Sequence, residues 1–70
     1  MLTEFWESDT FTERREVLLD TLETDYPWNK GDILRFRRGG RDDRYRVLSV
    51  QVEIGDEGLR RTVLLLKLES

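Results

Sequence analysis

Arginine carries most of the chemistry this sequence can do. Between residues 30 and 50 stand seven bases, Lys30, Arg35, Arg37, Arg38, Arg41, Arg44 and Arg46, against three acids, Asp32, Asp42 and Asp43, for a local net charge of +4. A guanidinium is planar, forks its hydrogen bonds onto phosphate or carboxylate and stacks on aromatic rings, so six arginines in this stretch suit an anionic partner better than lysines would. Gly39-Gly40, in the middle of the set, would let backbone amides approach an anion. The rest of the chain is acidic. Residues 1–29 hold eight acids, Glu4, Glu7, Asp9, Glu13, Glu16, Asp20, Glu23 and Asp25, against Arg14 and Arg15, and the overall charge is −3.

This asymmetry supports two readings. In one, the basic hairpin receives nucleic acid or another anionic partner. In the other, the acidic first third neutralises it, within the chain or across a dimer, because arginines side by side on a sheet repel and need an anion nearby. The acidic total lacks the global field of most nucleic-acid binders, which favours the second.

Enzymatic chemistry fails by omission. With neither Cys nor His, the chain can build no Ser/His or Cys/His nucleophile pair, no usual zinc site and no thiol redox centre. Carboxylates remain, but nothing marks two of them as facing one another in a pocket, so a non-catalytic protein without a cofactor is expected. Asp42-Asp43 and Asp56-Glu57 could offer oxygens to a divalent cation, yet their spacing matches no calcium loop, and acids in hairpin loops serve turn formation and solubility. Trp6, Tyr26, Trp28 and Tyr45 either form an aromatic surface for a peptide or close the junction between elements. Trp28, directly after Pro27, favours the structural role.

Seventy residues suffice for one core, and the chain is expected to be a single domain. The spacing predicts a helix over residues 10–24: Thr10 and Glu13 stand at capping-box separation, Phe11, Leu18, Leu19 and Leu22 share a face, and Tyr26-Pro27 ends it. Leu2, Phe5 and Trp6 fit a helical turn or ordered coil. Three strands follow, at about 33–38, 44–54 and 59–68. Leu34 and Phe36 share one face of the first, with Ile33, Arg35 and Arg37 on the other. In the second, Tyr45 and Val47 lie on one side and Leu48, Val50, Val52 and Ile54 on the other, a phase change that a bulge near Val47-Leu48 reconciles. The third contains Val63-Leu64-Leu65-Leu66, apolar on both faces, as in a strand covered twice. Curling into a small barrel, folding of Leu2–Trp6 over the second face, or a second copy docked on Val63–Leu66 would each cover it. Arg60, Arg61 and Lys67 flank the run as gatekeepers against aggregation.

Lys30-Gly31-Asp32-Ile33-Leu34-Arg35-Phe36 resembles the first-strand entry of SH3-like small barrels, and Tyr45-Arg46-Val47-Leu48 is similar to a later strand of that pattern. The resemblance implies a small barrel and leaves function open, since such barrels bind peptides or nucleic acids.

Together these features predict an α+β domain, an N-terminal amphipathic helix on a three-stranded antiparallel sheet that curls in the SH3-like alternative. Its expected function is non-catalytic protein binding, with nucleic-acid binding as the alternative. Contacts are expected at Arg35, Arg37, Arg38, Arg41, Arg44, Arg46, Trp28 and Tyr45. No apolar run is long enough for a membrane span or signal peptide, so a cytoplasmic setting is expected, with a homodimer through Val63–Leu66 as a further partner arrangement.

Overall fold

The computed structural model describes residues 1–9, 11 and 14–68. Five strands occur along them: β1 (Leu2–Glu7), β2 (Val17–Glu23), β3 (Ile33–Arg38), β4 (Arg41–Gly55) and β5 (Gly58–Leu68). They form one sheet in the order β2-β1-β5-β4-β3. The β1–β5 pair is parallel and the other three pairs are antiparallel.

No helix occurs among the described residues, which overturns the α+β expectation in favour of an all-β fold. Residues 17–23 of the expected helix form β2, and the capping pair Thr10 and Glu13 lies outside the described residues. The physical reason lies in β1. Leu-Thr-Glu-Phe-Trp-Glu is rich in strand-favouring residues and pairs with β5, which leaves its other edge with backbone groups that an extended segment can pair in full. Val17–Glu23 supplies them, from Leu2 opposite Glu23 to Glu7 opposite Val17, with Leu19 taken up in a bulge. Tertiary pairing has overridden a local helical period.

The strands read from the sequence at 33–38, 44–54 and 59–68 correspond to β3, β4 and β5. Leu48 is the extra residue of a β4 bulge, since Val47 pairs with Leu65 and Ser49 with Leu64. It returns Val50 to the face that Val47 occupies, and both meet the core. The bend is also required by length: fifteen straight residues at about 3.3 Å each would span roughly 46 Å between their end Cα atoms, whereas the longest extent of the molecule is 40 Å.

Strong curling converts this sheet into a half-barrel. Strands β1 and β3 stand three places apart, roughly 14 Å in a flat sheet, yet the Phe5 and Phe36 rings meet edge-on with centroids 5.8 Å apart. On the concave face, Phe5, Tyr45, Val47, Val63 and Leu65 form the buried core, with Leu19, Trp28, Leu34, Phe36 and Val50 packed around it. On the other face Leu64 is also buried. Val63, Leu64 and Leu65 of the doubly apolar run are buried and Leu66 partly so; β1 and β4 take the strand's two edges, and β1 lies in the plane of the sheet instead of over its second face.

Burial also sets a pH response. Withdrawal of the Tyr45 phenol from water, reinforced by the nearby Glu7 and Asp43 carboxylates, raises its pKa above the ordinary 10.0. The folded chain therefore holds the proton longer than the unfolded one. The resulting stability is complete below the unfolded value and is lost as pH rises through the folded one. Denaturant midpoints measured from neutral pH to strong alkali should fall above about pH 10, and Tyr45→Phe should flatten that decline.

A groove and a basic face at the open seam

The curl brings the two outer strands, β2 and β3, toward each other without pairing them. Their Cα atoms stay more than 8 Å apart. The Arg38–Asp20 ion pair bridges this seam by side chains alone. Among the described residues, strand β3 has a neighbour only in β4, and β2 only in β1, so each keeps one edge without a strand partner there.

A groove follows the seam. One part, about 210 Å³, is lined by Phe5, Leu22, Trp28, Leu34 and Phe36, with Asp20, Arg35, Arg37 and Arg38 around it. An adjoining cleft of about 560 Å³ shares Leu22, Trp28 and Leu34 and continues past Tyr26, Asp32 and Ile33. The apolar floor follows from strand alternation. Leu34 and Phe36 turn toward the core, while Arg35 and Arg37 stand on the outer face.

That outer face gathers four of the expected contact residues. Arg35 lies directly opposite Arg44, Arg37 opposite Asp42, and Arg46 opposite Ile33. Asp42 receives two hydrogen bonds from Arg35, one of them from Nε at 3.2 Å, and lies 4.0 Å from Arg37. The Arg35 guanidinium accordingly holds the Asp42 carboxyl below its ordinary range. Among the described residues Arg44 and Arg46 form no ion pair. Arg38 and Arg41 pair with Asp20 and Asp43. Compensation therefore reaches part of the basic set, mostly from the hairpin's own acids, with Asp20 the contribution of the acidic first third. Asp42 and Asp43 serve opposite faces: Asp43 sits opposite Phe36, near Arg41 at 3.5 Å and Lys67 at 3.8 Å.

The two aromatics read with this set stand elsewhere. Tyr45 is 4% exposed and belongs to the core, and Trp28 packs edge-on to Phe5 at 5.1 Å on the inner face. No family model, curated protein or solved structure matches this chain. No group of three or more His, Cys, Asp or Glu among the described residues could hold a metal ion, and no helix among them is long and apolar enough to cross a membrane.

Arg61, read from the sequence as a gatekeeper, is instead buried. Its guanidinium donates to Thr3 Oγ1 at 3.0 Å, to the Tyr26 carbonyl at 2.9 Å and to the Thr24 carbonyl at 3.1 Å, and lies 4.9 Å from the centroid of the Trp28 ring. It fastens the crossover from β2 to β3 beneath the sheet and so fixes Trp28 at the groove. Alternation carried the signal, because Arg61, Val63 and Leu65 occupy one face of β5.

Proposed function

We propose that this chain is a small non-catalytic protein-binding module that receives an extended acidic segment of its partner along the free edge of β3. The observation that supports this most is the contrast between the two faces at that edge: Leu34 and Phe36 face the apolar floor of the groove, and Arg35 and Arg37 border the same groove from the outer face. A strand added there gains main-chain hydrogen bonds from the edge and presents its side chains alternately to the two faces. Its apolar residues enter the groove, and its carboxylates meet the arginines. The partner is thus a polypeptide in which apolar and acidic residues alternate.

Kinship with SH3-like small barrels belongs to the same proposal. It rests on the likeness of residues 30–36 and 45–48, and the curled sheet has the five strands such barrels usually contain. Nucleic-acid binding draws support from Arg35, Arg37, Arg44 and Arg46 on one face, but the overall charge of −3 opposes it.

An amide-shift titration with a peptide of alternating leucine and glutamate tests the proposal. Saturable shifts should centre on residues 33–38, disappear with a leucine–lysine peptide, and need about tenfold more peptide in Arg37→Glu, the loss of one charge-assisted contact. Saturable, salt-sensitive shifts with mixed oligonucleotides and none with the acidic peptide would replace this reading with nucleic-acid binding.

A further inference from the structure

The outer part of β4 presents a third free edge. Strand β3 pairs with β4 only up to Arg46, and the turn before β3 adds two hydrogen bonds, Gly31 N–H to the Val47 carbonyl and Val47 N–H to the Asp32 carbonyl. Beyond that point, Ser49-Val50-Gln51-Val52-Glu53-Ile54-Gly55 pairs with β5 on one side and has no strand on the other among the described residues. Val50, Val52 and Ile54 share a face, and Leu59 stands opposite Ile54. Ile54 is 84% exposed, and Val52 and Leu59 are each 52% exposed. This is an apolar row along an open edge whose own residues include no lysine, arginine or proline to block pairing, and Arg15 meets it at Glu53, at 2.8 Å.

We propose that this edge pairs with the same edge of a second copy, antiparallel, about a two-fold axis at Val52. In that register Val52 faces its own counterpart, Val50 faces Ile54, and Gln51 faces Glu53, so like charges are never opposed and the apolar row continues across both copies. Shifting the axis to Glu53 would set two carboxylates against each other. The other two free edges carry more charge. Antiparallel β3–β3 contact centred on Phe36 opposes arginines 35 and 37, and β2–β2 contact centred on Asp20 opposes carboxylates. Of the three edges, this one carries a single charged residue, Glu53, and the most exposed apolar side chain, Ile54, and an isologous pair closes on itself.

This inference is independent of the peptide groove, and solution mass tests it. Light scattering across a concentration series should show the mass rising from 8.4 kDa toward twice that value. Ile54→Lys, at a site exposed enough to leave the fold intact by circular dichroism, should weaken association at least tenfold. Gln51→Lys, placed opposite Glu53 of the second copy, should strengthen it several-fold, and Gln51→Glu should weaken it. Arg37→Glu, which affects the groove, should leave it unchanged. A strictly monomeric mass at millimolar concentration would overturn the proposal, and so would a dimer indifferent to the changes at residues 51 and 54.

Discussion

Replacing Arg61 with methionine should destabilise the protein by about 3 kcal/mol, through a set of hydrogen bonds that a side chain of similar length cannot replace. The guanidinium serves Thr3 Oγ1 and the carbonyls of Thr24 and Tyr26 together and lies beside the Trp28 ring. Methionine fills much of the volume and supplies no donor, leaving three acceptors to find water or remain unpaired. A cost of that size corresponds to a fall in melting temperature of roughly 12–24 °C for a domain of this length. Arg61→Lys should recover part of the loss, since an ammonium keeps the charge and cannot span all three acceptors. Urea unfolding of the three proteins measures the effect. A methionine variant within about 0.5 kcal/mol of the parent would show that the clamp contributes little.

Phe5→Ala should be the costliest single truncation, about 4 kcal/mol, by loss of transfer free energy and by the cavity left behind. Phe5 is 2% exposed and meets both the Trp28 and Phe36 rings edge-on, so its ring joins β1 to the crossover and to β3. Losing it should loosen the curl as well as the core. The matched control is Phe11, which a helix over residues 10–24 would bury against the sheet and which is 94% exposed in this fold. Phe11→Ala should change stability by no more than about 0.5 kcal/mol. Equal losses at the two positions, by calorimetry or denaturant unfolding, would favour the helical arrangement over β2.

These two phenylalanines show where the sequence misleads. Phe11, Leu18, Leu19 and Leu22 fit a helical period, and Pro27 follows as a helix stop would. Yet the choice between helix and strand for residues 17–23 depends on the empty edge of β1, and β1 becomes a sheet strand only because β5, more than fifty residues later, lies parallel to it. Pairing at that distance leaves no trace in a local window. Arg61 was misread for a related reason: although it shares a face with Val63 and Leu65, it reads as one of three flanking charges until the strand's neighbours decide which face is inside.

Much else was open to reading. Alternation in Ile33–Arg38 placed Leu34 and Phe36 inward and Arg35 and Arg37 outward, because a strand has a period of two whatever lies beside it. The phase change at Val47-Leu48 announced the bulge, since one face cannot stay buried through it without an extra residue. The register was less open to reading: β4 begins at Arg41, three residues before the strand expected at 44–54, so Arg35 falls opposite Arg44 but Arg37 opposite Asp42.

What the sequence determined by itself is therefore local: the β3–β4–β5 meander, the faces of its strands, the bulge, the cluster of arginines and the chemistry that lacking Cys and His rules out. The tertiary structure alone decided that β1 and β2 complete the sheet, that the sheet curls until Phe5 reaches Phe36, that Tyr45 and Trp28 pack on the inner face instead of beside Arg44 and Arg46, and that β2, β3 and the outer part of β4 keep free edges among the described residues. Side-chain alternation and turns are encoded by near neighbours. Strand order and curvature arise from hydrogen bonds and apolar contacts between residues distant along the chain, which take effect only when the whole sheet forms.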